Sequence, residues 1–298
     1  MKTGSISFWA KIALFTATII WGTTFFIMED TIQNIQIYTL LGIRFSIATI
    51  LLAAILCKRL KNINKEYIFQ GFIMGLFVIV AYILQTYGLA DEATTPGKNA
   101  FLTATYCIIV PFLAPKFTGH KPDMYNIAAA VMCIFGITLI SVTGNDFRTV
   151  CRGDILTLLG GFFFSFHMVA VAAFSKGKDI LLLTMIQFFF AAIFAWAGAF
   201  MFESMPSNLT PSGIGAILYL TIMATCLCYI LQNVGQKYTT PATASLILSL
   251  EAVFGVLFSV VFTSEVITLK VFLGFVIVFC AILVSELKPD FKLFIRKN

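Results

Sequence analysis

The chain has 298 residues, of which 59% are hydrophobic and only 11% charged, with a formal net charge of +6. Soluble domains carry about 25% charged residues, so a water-facing globule of this length is excluded. A mean hydropathy of +0.95 and 32 phenylalanines leave little polar material to face water and ample apolar surface to face lipid.

In chain order, apolar segments long enough to cross a bilayer are predicted at 10–28, 35–56, 68–88, 94–114, 124–142, 154–173, 180–200, 212–232, 241–261 and 268–286. A hydrocarbon core about 30 Å thick needs about 20 helical residues, and these stretches lack the polar/apolar alternation of barrel strands. The expected fold class is an all-α integral membrane protein with ten transmembrane helices. Connections such as 57–67 and 201–211 are short and leave no room for a separate soluble domain. The first segment reads as a retained span, because no small-x-small cleavage pattern precedes the next helix.

Charge sets the expected orientation. Of 20 basic residues, 15 fall on the side of the N-terminus, loops 57–67, 115–123, 174–179 and 233–240, and the C-terminal tail. Lys98, Arg148, Arg152 and Lys270 fall on the other side, and Arg44 lies within a span. The positive-inside rule predicts cytoplasmic termini and a multi-pass protein of the plasma membrane. Lys58, Arg59, Lys61 and Lys65 then read as an anchor beside anionic lipid, not as a nucleic-acid surface. The 7 cysteines lie mostly in or beside spans, and His120 and His167 complete no ligand set with Cys226 and Cys228, so neither metal nor disulfide framework is expected. The chain carries no GxxxxGK[ST] phosphate cradle, so direct use of ATP is not expected, nor is any cofactor.

A repeated junction organises the chain. Residues 84–106 read LQTYGLADEATTPGKNAFLTATY and residues 231–251 read LQNVGQKYTTPATASLILSLE. Each places a Gly three residues after the Gln and runs through Thr-Thr-Pro into an apolar segment. Halves at 1–148 and 149–298 would each hold five helices, and an odd number inverts the second copy, as in transporters that alternate access between two similar bundles. Pro96 and Pro241 would then open helices four and nine at opposite membrane faces, in the first turn where a missing N–H removes no internal bond.

Further stretches carry a family resemblance: WGTTFF at 21–26, LGIRFSIA at 41–48, TTPGKNAFLTATYCIIVPFLA at 94–114, GDILTLLGGFFFSFH at 153–167, QFFF at 187–190, Glu203, and TTPATASLILSLEAVFG at 239–255. Together these resemble the EamA family of the drug/metabolite transporter superfamily, over roughly residues 10–287. The resemblance implies ten helices, cytoplasmic termini and a secondary transporter, commonly an exporter of amino acids or related small metabolites. Some members import instead, and a lipid or amphiphile transporter is a neighbouring reading; a membrane enzyme fits less well, since no nucleophile constellation or HExxH motif accompanies the buried polar residues. Where related second halves often have Glu-Pro, this chain has Glu251-Ala252, which permits a straighter ninth helix.

The candidate residues are those whose polarity is costly inside a bilayer. Glu251 lies ten residues beyond Pro241, about 15 Å into its helix and near the membrane centre. It could bind an amino group, take up a proton, or join two helices as a neutral acid. His167 could line a cavity, exchange protons or make an interhelical hydrogen bond. Arg44 could meet a substrate carboxylate or pair with Glu251. Lys98 and Asn99 open helix four, where Lys98 could attract an anionic substrate, pair with Asp91 or Glu92, or anchor the helix. Gln85, Gln187 and Gln232 combine donors and acceptors, and the matched positions of Gln85 and Gln232 single them out. Trp21, Tyr82, Tyr106 and Tyr229 join a polar edge to an apolar wall. Gly22, Gly75, Gly160 and Gly161 suit close helix packing. The expected partners are a small-molecule substrate and membrane lipid; coupling would be to protons or membrane potential through Glu251 and His167, and one chain suffices although a homodimer is compatible.

Overall fold

The computed structural model describes residues 3–115, 123–141, 150–204, 211–263 and 266–287, and the regular structure among them is helical. The division near residue 148, Arg148, His120 and the C-terminal tail lie outside the described residues. The helices are α1 (Thr3–Ile32), α2 (Ile37–Ile55), α3 (Lys65–Leu89), α4 (Pro96–Thr103), α5 (Tyr106–Leu113) and α6 (Met124–Ser141), followed by α7 (Arg152–Phe174), α8 (Ile180–Phe202), α9 (Pro211–Tyr219), α10 (Cys228–Lys237), α11 (Pro241–Phe262) and α12 (Leu269–Leu287). A 3₁₀ turn at Cys57–Asn62 follows α2, and a π-helical stretch at Leu220–Leu227 joins α9 to α10.

Among the described residues, seven helical segments are long and apolar enough to cross a membrane, and Met124–Ile140 and Leu269–Ala281 are shorter apolar helices. The segment expected as an unbroken fourth span is instead the pair α4 and α5, separated at Ala104–Thr105. The break has local causes. Thr105 Oγ1 donates to the Leu102 carbonyl at 2.7 Å, and three-residue bonds from Cys107 to Ala104 and from Ile108 to Thr105 carry the chain across. Pro111 inside α5 also removes one helical N–H donor.

The repeated Thr-Thr-Pro has a concrete meaning. Thr95 Oγ1 accepts the Lys98 N–H at 3.3 Å at the start of α4, and Thr240 Oγ1 accepts the Thr243 N–H at 3.1 Å at the start of α11. Pro96 and Pro241 occupy the first turns. Each junction is thus a hydroxyl N-cap followed by a residue preset for the helix.

Packing turns the soluble-protein pattern inside out. Ile50, Ile55 and Phe200 face outward at 67%, 71% and 73% exposure, whereas Arg44, His167, Gln187 and Asn233 are 0–1% exposed. Lipid cannot hydrogen-bond such groups, so they must turn inward and find partners in the protein. Small residues bring the polar elements close: a Cβ at Gly75 would lie 2.7 Å from the Gln187 carbonyl oxygen, and one at Gly161 would lie 2.8 Å from that of Thr103.

The pairings repeat when the two halves are exchanged. The contact of α3 with α7 is matched by that of α1 with α10, and α1 against α11 is matched by α4 and α5 against α7. Equivalent connections of the halves meet opposite neighbours. The α2–α3 connection meets α7–α8 through Arg59 and Asp179 at 3.2 Å, with Lys178 paired to Glu66. The α1–α2 connection instead meets the end of α8, where both carboxylate oxygens of Glu203 accept, at 2.7 Å each, the N–H groups of Tyr38 and Thr39. Thr39 Oγ1 donates to the same carboxylate at 2.9 Å. Glu203 therefore caps α2 from the other half of the chain, where its negative charge also meets the positive end of the helix dipole.

Removing this cap with Glu203→Ala should cost about 1–2 kcal/mol, by analogy with other lost N-caps. Thermal unfolding of the purified protein in detergent should show a Tm lowered by several degrees, and an unchanged Tm would refute the capping role.

Candidate functional site

The broken and π-helical segments deliver side chains to one place. A narrow cavity, with about 440 Å³ of atom-free space including its mouth, lies between the two halves. From the first half, α1 supplies Trp21, Thr24 and Phe25, α3 supplies Tyr82 and Gln85, and α5 supplies its first residue, Tyr106. From the second half, α7 supplies Phe164 and Met168, α10 supplies Tyr229 and Gln232, and α11 supplies Leu248 and Glu251. A continuation shares Thr24, Phe25, Tyr82 and Gln85 and reaches Met28, Leu89 and Asn99. Glu251, 6% exposed, is the sole charged side chain among these lining residues. The Tyr106 hydroxyl and the Glu251 carboxyl are direct neighbours in this wall.

The aromatic wall is built outward from Tyr229. Its ring packs edge-on against Trp21 at 5.3 Å, Phe188 at 5.6 Å and His167 at 5.7 Å, and lies 6.2 Å from Tyr82. Phe164 closes against Tyr82 at 5.3 Å. Tyr229 follows the π-helical stretch, whose geometry is held by partners from the first half. Trp21 Nε1 donates to the Ala224 carbonyl at 2.7 Å, and Arg44 Nε donates to Thr225 Oγ1 at 3.0 Å. Thr225 Oγ1 in turn donates to the Leu220 carbonyl, five residues earlier, at 2.8 Å. π-helical turns recur at functional sites because they displace side chains from ordinary helical register.

The residues singled out in the sequence separate into two layers. Glu251, Trp21, Tyr82, Tyr106, Tyr229, Gln85 and Gln232 line the cavity, and Asn99 lines its continuation. Arg44, His167 and Gln187 stand behind the wall. The Arg44 guanidinium lies 5.1 Å from the centre of the Tyr82 ring and is bonded to Thr225; it forms no ion pair with Glu251. His167 Nε2 donates to Gln187 Oε1 at 3.0 Å, which fixes the tautomer and leaves Nδ1 without a partner.

Lys98 takes neither Asp91 nor Glu92 as its partner. Its ammonium pairs with Asp154 of α7 at 2.8 Å, with the Asp154 carboxylate fully buried. Asp91 instead accepts the Gly153 N–H at 3.0 Å. Asn99 donates to Thr157 Oγ1 at 2.8 Å and to the Gln85 carbonyl at 3.1 Å, while Gln85 Nε2 donates to Thr103 Oγ1 at 3.0 Å. Sequence reasoning did not single out Thr24, Phe25, Phe164, Met168, Leu248, Asp154 or Thr225. The apolar ones carry no distinguishing sequence signal among so many similar residues; Asp154, an acid at the start of an apolar run, did carry one. Among the described residues no group of three or more His, Cys, Asp and Glu side chains could hold a metal ion.

An apolar outer shell, inward-facing polar side chains and a cavity between two similarly packed halves define a multi-pass helical membrane protein with an internal site. The model of the EamA-like transporter family matches residues 8–142 and again 151–287, so the chain belongs to that family and is a membrane transporter with two EamA-like repeats. It is similar to an uncharacterized transporter of Archaeoglobus fulgidus, at 27% identity over 94% of this chain and 86% of that protein. It is also similar to the uncharacterized transporter YoaV of Bacillus subtilis, at 23% identity over 92% of this chain and 95% of that one. A solved crystal structure shares the fold with a TM-score of 0.69 at 17% identity, covering 94% of this chain and 96% of its own.

The Lys98–Asp154 pair ties α4 to α7 beside the cavity's continuation. Lys98→Met leaves a buried carboxylate uncompensated and should destabilise the protein by about 3 kcal/mol or more. Adding Asp154→Asn to that variant should restore much of the loss. A double-mutant cycle on thermal unfolding measures the coupling, and simple additivity would rule the pair out as a tie.

Proposed function

We propose that the protein is a secondary active transporter that exports amino acids or related small polar metabolites, with Glu251 at the centre of its cycle. The observation that carries this reading is the cavity between the halves: each half contributes three lining elements, and Glu251 is its charged group. A buried carboxylate can hold either a proton or the amino group of a substrate, which provides a means of coupling transport to protons or membrane potential. In this reading ten membrane helices form two inverted five-helix repeats, divided near residue 148. Rocking of one repeat against the other would expose the cavity alternately to either side. Opposite neighbours for equivalent connections, and packing that repeats on exchange of the halves, support the inversion.

The distribution of basic residues supports a plasma-membrane protein with cytoplasmic termini. One chain contains both halves of the device, so a monomer suffices. Export rather than import rests on family resemblance. A groove between α2 and α8, bounded by Ser46, Ile50, Phe189, Trp196 and Phe200, faces lipid but shares no lining residue with the cavity. It therefore gives no specific support to a lipid pathway through the molecule.

Timed metabolite profiling of cells and medium, with and without the chain and after dipeptide loading, should show selective appearance of an amino acid or related metabolite outside. Glu251→Gln should reduce that export at least tenfold while the protein still purifies as a monodisperse species. Absence of any selective change would overturn the export reading, and wild-type export unaffected by collapse of both proton gradient and voltage would overturn the coupling.

A further inference from the structure

We infer that the substrate is recognised as an amphipathic monocation, an amine joined to an apolar and preferably aromatic body, and not as a zwitterion or an anion. This inference rests on the transporter reading and narrows its substrate to amines related to amino acids, setting the zwitterionic amino acids themselves aside. It follows from which hydrogen-bonding groups around the cavity are already committed and which remain open.

Apart from the Gln232 amide, the strong donors are committed. Trp21 Nε1 is bonded to the Ala224 carbonyl, Gln85 Nε2 to Thr103, and Lys98 to Asp154. Arg44 has one open guanidinium nitrogen, Nη1, but the residue lies over the Tyr82 ring and is not among those lining the cavity. A carboxylate entering the cavity would therefore meet no lining cation, and the ionised form of Glu251 would repel it strongly where water is scarce.

The acceptors are open. Gln232 Oε1 is buried without a hydrogen-bond partner, and the Tyr106 hydroxyl, which neighbours the Glu251 carboxyl, keeps lone pairs that can still accept; all three oxygens line the same cavity. An ammonium group carries three N–H donors and no acceptor, so these three oxygens match its requirement. Around them stand Trp21, Tyr82 and Tyr229, whose ring faces favour a cation and whose surfaces suit an apolar body. Buried polar groups left unmatched discriminate sharply against a ligand that cannot pair with them.

Three probes with one skeleton test the assignment: 2-phenylethylamine carries only the ammonium, 3-phenylpropanoate only the carboxylate, and phenylalanine both. Purified full-length protein in liposomes should transport radiolabelled 2-phenylethylamine. Unlabelled 2-phenylethylamine should compete with it at least tenfold better than phenylalanine, and 3-phenylpropanoate should not compete. Glu251→Gln should lower transport of the amine at least tenfold and Glu251→Asp should retain part of it, with both variants monodisperse and thermally stable. Phenylalanine transported as well as the amine, or amine transport indifferent to Glu251→Gln, would overturn the cation assignment while leaving the transporter reading intact. Transport of none of the three, in a preparation whose cells still export a metabolite selectively, would also overturn it. Loss of selective export from cells would strike instead at the reading beneath it.

Discussion

Inside a bilayer no water is available to satisfy a polar side chain, and that constraint shapes the whole molecule. Each such group must find its partner in protein, and here many of the partners that are distant in the chain belong to its other half. Trp21 reaches Ala224, Arg44 reaches Thr225, Asn99 reaches Thr157, Lys98 reaches Asp154, and Tyr38 and Thr39 share Glu203. These long-range polar contacts tie one repeat to the other. The same interface encloses the cavity.

Departures from regular helix sit where the cavity needs them. The interruption between α4 and α5 places Tyr106 at the head of a new helix, and the π-helical stretch precedes Tyr229. Backbone irregularity at membrane depth is tolerated where side chains or a cavity satisfy the displaced groups. Trp21, Thr105 and Thr225 perform that service here, each donating to a backbone carbonyl at a break or in the π-helical stretch. Behind them, Arg44 and the His167–Gln187 pair support the aromatic wall without entering the cavity. A costly buried charge such as Arg44 can therefore serve architecture as well as chemistry.

Legibility in the sequence followed physical range. Thr95-Pro96 and Thr240-Pro241 are local signals, because cap and first-turn residue act within a few positions of each other, and both junctions stand as caps. Most of the expected spans appear as long apolar helices, since length and hydropathy are also local properties. The fourth, expected as one rod, is two short helices, because Thr105 turns its hydroxyl onto the Leu102 carbonyl, a bond that a Thr in an apolar run does not announce. For Lys98 the sequence offers Asp91 and Glu92 as nearby acids, whereas Asp154, its actual partner, is distant in the chain and adjacent in space.

Composition and periodicity alone determined that this chain lives in lipid, that it is helical, that it is written twice, and that Glu251 is costly where it stands. Those properties follow from transfer free energy and from spacing along one segment. Tertiary structure decided that Arg44 backs Tyr82 instead of facing Glu251, that Glu203 caps α2, and that Gln232, Tyr106 and Glu251 share one cavity. Such choices depend on which helix faces meet, and a buried polar group takes whichever partner the packing of the two halves brings within hydrogen-bond reach.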